Sequence, residues 1–126
     1  MFTPTATFSG FSVDDLAAAK TFYTEKLGCS AKEMMGGMQL TMPGGAKVWA
    51  YPKPNHQPAT YTMLNFVVDD VDAAVTELQE RGITFERYEG MQQDDTGIAR
   101  GRAQKMGPDI AWFKDPAGNI LSVLQQ

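Results

Sequence analysis

The chain has 126 residues, 43% of them hydrophobic, with a formal net charge of −4 and a single cysteine, Cys29. This is the length of one small domain with enough apolar residues to bury a core. The acidic balance, the absence of any run of Lys or Arg and the lack of an apolar run near the roughly 20 residues of a spanning helix argue against nucleic acid or membrane as partner.

Alternation from Thr5 to Val13 predicts a strand, with Phe11 and Val13 on one side and Phe8, Gly10 and Ser12 on the other. Asp14 or Asp15 then caps a helix running to about Lys26, its stripe made by Leu16, Ala19, Phe22, Tyr23 and Leu27 and its stop by Gly28. From Cys29 to Tyr51 the pattern is short strands and turns. Met35–Met38 and Met42–Ala46 read as hairpin turns, and Gln39–Thr41 and Lys47–Tyr51 as strands. Cys29 reads as a small buried hydrophobe. Three prolines in Pro52–Pro58 predict an extended linker, and the lone histidine, His56, is expected to face solvent there.

The second half repeats the order. Thr60–Val68 reads as a strand, with Leu64, Phe66 and Val68 on one side and Met63, Asn65 and Val67 on the other. Asp69 or Asp70 caps a second helix with the stripe Val71, Ala74, Val75 and Leu78, ended by Gly82. Ile83–Tyr88 is expected as a strand. Glu89–Pro108 is a long polar stretch, and Gln92–Arg100 within it is the candidate lid, with Gly97 and Gly101 as hinges. Ile110–Lys114 and Ile120–Leu124 close the chain as strands around the turn Asp115-Pro116-Ala117-Gly118-Asn119. The junction Phe11-Ser12-Val13-Asp14-Asp15 recurs as Phe66-Val67-Val68-Asp69-Asp70, about 55 residues later. The chain is therefore expected to be α+β, with two tandem modules of approximately 1–55 and 56–126.

The duplicated strand–helix junction and the closing Phe113-Lys114-Asp115-Pro116-Ala117-Gly118-Asn119-Ile120-Leu121 resemble the vicinal oxygen chelate superfamily. That superfamily holds glyoxalases, bleomycin-resistance proteins, fosfomycin-resistance proteins and extradiol dioxygenases. The resemblance spans essentially the whole chain. It implies two βαβββ modules whose mostly antiparallel sheet curls into a cup, with the helices outside. In metal-using members a histidine sits early in the first strand of a module, and a glutamate sits in the strand after the DPxGN turn. Here the matching positions hold Phe8, Met63, Trp49 and Ser122, none of them a usual divalent-metal ligand. The adjacent Asp94 and Asp95 read as a solvated turn rather than a metal site. The expected cup is thus metal-free, with no cofactor.

A ligand would meet Phe8, Trp49, Tyr51, Met63, Asn65, Asp94, Trp112 and Ser122, an aromatic lining with few polar groups. Flat Trp and Tyr faces suit a planar or cationic guest. Met34, Met38, Met42 and Met63 offer an adaptable lining or ordinary core. Asn65 needs a partner in an apolar strand, whether backbone, water or ligand. The resulting expectation is a cytoplasmic small-molecule-binding protein, a homodimer by the resemblance, with the compartment read from a lone thiol and the lack of a signal peptide. Two alternatives stand beside it. One is a glyoxalase-like lyase or isomerase using Asp94 or Tyr51 as acid or base. The other is an interaction module whose cup is filled by its own side chains. A nucleophile–histidine–carboxylate arrangement is not expected, because His56 lies in the linker.

Overall fold

The computed structural model describes residues 1–126 and divides into two compact units, Met1–Pro58 and Ala59–Gln126. The first holds β1 (Ser9–Val13), α1 (Leu16–Thr21), β2 (Ser30–Met34), β3 (Gly37–Thr41) and β4 (Lys47–Pro52). The second holds β5 (Thr62–Val67), α2 (Val71–Glu80), β6 (Ala99–Arg100), β7 (Asp109–Lys114) and β8 (Ile120–Gln125). Each unit builds a four-stranded mixed sheet, in the orders β1-β4-β3-β2 and β5-β8-β7-β6. In each, the first strand lies parallel to the last and the remaining pairs are antiparallel. The fold is α+β and the repeat seen in the sequence is a repeat of structure.

The second aspartate of each pair is the cap. Asp15 Oδ1 accepts from the Ala18 N–H at 3.0 Å, and Asp70 Oδ1 accepts from the Ala73 N–H at 3.1 Å. Their backbones are nearly superposable, with φ and ψ of −134° and 103° at Asp15 and −139° and 102° at Asp70. An extended residue whose carboxylate closes an otherwise unpaired first-turn N–H is what starts each helix here.

The first helix departs from the sequence expectation. After Thr21 it widens into a π-helical stretch, Phe22–Lys26, with the Leu27 N–H donating to the Phe22 carbonyl. The Thr24 hydroxyl donates to the Lys20 carbonyl at 2.7 Å, offering that carbonyl a side-chain partner. The wider turn lets the adjacent Phe22 and Tyr23 both bury, with Tyr23 packing at 5.6 Å from Phe11 and 5.3 Å from Phe22. In a regular helix neighbours point about 100° apart, so a single turn rarely buries two large consecutive rings. Gly28, at φ +73°, then turns the chain out.

Ile83–Tyr88 is not a strand, contrary to its apolar alternation. The segment follows the outer side of β7 but makes one ladder bond, Glu86 N–H to the Trp112 carbonyl at 2.8 Å. Short β6, arising inside the long polar stretch, takes the regular pairing instead, Ala99 with Ile110 and Arg100 with Asp109. Side chains of the segment still alternate, Phe85 stacking edge-on to Phe113 and Glu86 pairing with Lys114 at 3.3 Å. The final turn is locked by Asp115, whose carboxylate accepts from the N–H groups of Ala117 and Asn119 and from the Asn119 amide.

Candidate functional site

Each sheet has a helix-covered face and an open face. Phe11, Val13, Met38, Leu40, Val48 and Ala50 are buried on the covered face of the first unit. Register places Gly10 opposite Trp49, Ser12 opposite Tyr51, and Gln39 opposite Trp49 on the other face. Trp49 and Tyr51 are half-buried there, and Phe8, just before β1, is 68% exposed.

The Trp49 indole is seated over Gly37, with Gly10 beside it. A Cβ on Gly37 would stand 2.6 Å from Trp49 Cζ2, 2.8 Å from Cη2 and 2.7 Å from the Ala50 carbonyl. A Cβ on Gly10 would stand 3.9 Å from Trp49 Cδ1. The benzo ring therefore lies over the space that a side chain at position 37 would fill. Gly37 is present because this ring approaches the backbone, a constraint invisible in a Met-Gly-Gly-Met turn signal.

His56 corrects two expectations. It is half-buried rather than solvent-facing, and its Nδ1 shares a 2.6 Å hydrogen bond with Ser12 Oγ. Ser12 lies opposite Tyr51, so the linker folds the only imidazole back beside the open face. A place in the linker does not keep the histidine away from it. Of the methionines read as lining, Met38 and Met42 are buried core, Met42 lying 3.6 Å from the Cys29 thiol. Burial pushes the Cys29 thiol up from its ordinary value, which keeps it protonated.

In the second unit the open face carries Asn65 opposite Ser122 and Ser122 opposite Trp112. Ser122 is fully buried and donates to Asn65 Oδ1 at 2.6 Å, so a neighbouring side chain pairs the amide oxygen of Asn65, which is itself exposed. The register slips between Thr62 and Leu64, leaving Met63 without a registered partner and pairing Thr62 with Ile120. That slip shifts the strict alternation on which Met63 was assigned to this face. Thr62 Oγ1 instead accepts from Trp112 Nε1–H at 3.1 Å.

Asp94 is committed to its own loop. Its Oδ1 accepts from the Thr96 N–H and hydroxyl and from the Ile98 N–H, and its Oδ2 from Arg100 Nε at 3.0 Å. Partial burial alone would raise this carboxyl, but the hydrogen bonds from Thr96, Ile98 and Arg100 outweigh it and lower the pKa to about 2. Such a group is a poor proton acceptor near neutrality. Arg100 also clasps Asp72 of α2 at 2.6 Å, while Gln93 and Arg87 bind carbonyls across the same loop. Gln92–Arg100 is thus a loop knit by its own hydrogen bonds, with Gly97 buried inside it.

The donor set does not fit a divalent metal. Phe8, Trp49, Met63 and Ser122 supply no imidazole, thiolate or carboxylate, and Ser122 Oγ is spent on Asn65. No group of three or more His, Cys, Asp or Glu side chains is arranged to hold a metal ion; Asp72, Asp94 and Asp109 converge on the Arg100 guanidinium instead.

The family model for the glyoxalase/bleomycin resistance protein/dioxygenase superfamily matches residues 6–123. The chain belongs to this superfamily. No curated protein matches it in sequence. Among solved structures, TnmS3, an antibiotic binding protein from a Streptomyces species, is 25% identical, with 98% of each chain covered and a TM-score of 0.66. A superfamily member from Sphaerobacter thermophilus is 22% identical over 96% of this chain and 98% of its own, with a TM-score of 0.66. The fosfomycin resistance protein FosX from Listeria monocytogenes is 12% identical over 99% of this chain and 95% of its own, with a TM-score of 0.71. The latter two likenesses are of fold. Within the superfamily, this member's open faces carry tryptophans and amides. Tyr88, at the end of the segment whose alternation predicts a strand, packs edge-on against Trp112 at 5.5 Å.

Proposed function

We propose that the protein binds a small planar or cationic molecule on its aromatic open faces, without a metal ion. The observation that carries this reading is the Trp49 platform. An indole laid over Gly37, with Gly10 beside it, offers a flat, half-exposed face for which the side-chain-free position 37 leaves the room. Stacking and cation–π contacts on such a face contribute on the order of 0.5–2 kcal/mol each. Tyr51 beside it is a further contact residue of the first unit's face, and Asn65 and Trp112 are those of the second unit's face, where buried Ser122 orients the Asn65 amide. The likeness to an antibiotic-binding protein over 98% of the chain and the net charge of −4 support the same reading. No helix is long and apolar enough to cross a membrane. The single cysteine and the net charge of −4 support our further assignment to the cytoplasm without nucleic acid as partner, and the family resemblance supports a homodimer.

The chain holds two tryptophans, one in each unit, so fluorescence distinguishes the two faces. Titration of Trp49→Phe and Trp112→Phe with planar and cationic compounds should quench the remaining tryptophan in one variant at least. Unchanged emission in both, with every compound, contradicts the reading. Elemental analysis of dialysed protein should find no stoichiometric divalent metal.

The Ser12–His56 contact beside Tyr51 favours a second reading, a metal-independent enzyme using acid–base groups of the first unit. Turnover of a bound compound in EDTA, abolished in His56→Gln, would establish it over simple binding.

A further inference from the structure

The Tyr88 hydroxyl is buried and has no hydrogen-bond partner, the sole side-chain oxygen or nitrogen of the protein in that condition. A buried donor left unpaired is destabilising, so native proteins rarely retain one without a use. Its neighbours are spent. Trp112 Nε1–H donates to Thr62, Lys114 pairs with Glu86, and the Gln93 amide donates to the carbonyls of Glu86 and Gly97. The backbone at Tyr88 is fixed on both sides. Its N–H donates to Gln93 Oε1 and its carbonyl accepts from the Met91 N–H. The phenol alone is untethered, leaning edge-on against Trp112.

We propose that Tyr88 is a ligand-recognition residue of the second unit's open face, its hydroxyl donating to an acceptor oxygen, such as a carbonyl, of a planar guest seated against Trp112. This rests on the small-molecule-binding reading and adds a chemical requirement to it. With no hydrogen bond to break, the side chain swings on its rotatable bonds at the cost of packing alone. A guest bearing an acceptor gives the phenol its missing partner, whereas a guest of equal shape without one leaves it orphaned. Sites built to hydrogen-bond a group discriminate against analogues lacking it for this reason. Burial and the nearby Glu86 carboxylate push the phenol's pKa up, with Lys114 opposing, so the proton to be donated is retained at neutral pH.

The test compares 2-acetylnaphthalene with 2-ethylnaphthalene, which share a shape and differ in the carbonyl, on wild-type protein and Tyr88→Phe by calorimetric titration. Wild type should prefer the acetyl compound by about tenfold. Tyr88→Phe should erase that preference, leave 2-ethylnaphthalene binding unchanged, and melt no lower than wild type without ligand. An equal loss for both compounds would make Tyr88 a packing residue and overturn the assignment. So would an unchanged preference, or a lower melting temperature of the ligand-free variant, which would mean that a buried water already satisfies the hydroxyl. Equal binding of both compounds to wild type overturns this inference alone. Binding of neither counts against the small-molecule reading itself and takes the assignment with it.

Discussion

Substituting alanine for Gly37 tests whether Trp49 is seated as described. The new Cβ would stand 2.6 Å from Trp49 Cζ2, 2.8 Å from Cη2 and 2.7 Å from the Ala50 carbonyl oxygen. Two of these contacts end on a ring that can swing away, and the third ends on backbone of the central strand β4, which cannot without disturbing its ladder. Overpacking of this kind costs about 1–3 kcal/mol. Restricting the unfolded chain by Gly→Ala returns about 0.4–1 kcal/mol. The net expectation is a loss of about 1–2 kcal/mol, or several degrees of melting temperature. Gly10→Ala is the matched control. Its Cβ would meet the Trp49 carbonyl at 3.5 Å and Trp49 side-chain carbons at 3.9 Å, ordinary contacts, so stability should hold or rise slightly. Denaturant melts read with Trp49 emission, in a Trp112→Phe background, follow both. Gly37→Ala should red-shift the emission as the indole leaves the sheet, and Gly10→Ala should not. Equal stability and unshifted emission in Gly37→Ala would refute the seating.

Asp94→Asn should destabilise the second unit by about 1 kcal/mol at neutral pH, a figure reduced for solvent screening at a side chain 34% exposed. A carboxyl held near 2 in the fold is ionised where the unfolded chain begins to protonate, so its contribution is present above about pH 4 and lost as pH falls towards 2. Asp72, lowered first by its hydrogen bond from Arg100, is lost in the same direction. An acid melt of Asp94→Asn should therefore be flatter than wild type over that range, and parallel melts would contradict the arrangement. Asp15→Ala and Asp70→Ala should each cost about 1 kcal/mol by chemical denaturation, and Asp14→Ala and Asp69→Ala nearly nothing; equal losses within either pair would contradict the capping assignment.

The duplicated Phe-x-Val-Asp-Asp stretch and the DPAGN turn made the fold legible, because strand alternation, helix caps and tight turns are local codes. What local codes miss is set by contacts distant in sequence. The π-helical widening at Phe22–Lys26 follows from burying two adjacent rings, and Ile83–Tyr88 lost its place as a strand because β6, from within a polar loop, took the regular pairing on β7. For the candidate site, the strands that carry Trp49, Asn65, Trp112 and Ser122 were legible. Its details were not. The slip at Met63 breaks the alternation used to assign faces, and the Ser12–His56 contact closes over 44 residues. Asp94, attractive as a polar loop residue, has both oxygens engaged by groups within its own loop and by Arg100. Tyr88 carried no signal at all in the sequence, since an unpaired hydroxyl is a property of its surroundings.

Thermal shift of EDTA-dialysed protein against a panel of planar and cationic compounds decides whether the open faces bind a guest without metal. At least one compound should raise the melting temperature with concentration, following RT ln(1 + [L]/Kd), and the shift should shrink in Trp49→Phe or Trp112→Phe. A flat response across the panel, or a shift that occurs only after a divalent metal is restored, would contradict metal-free binding.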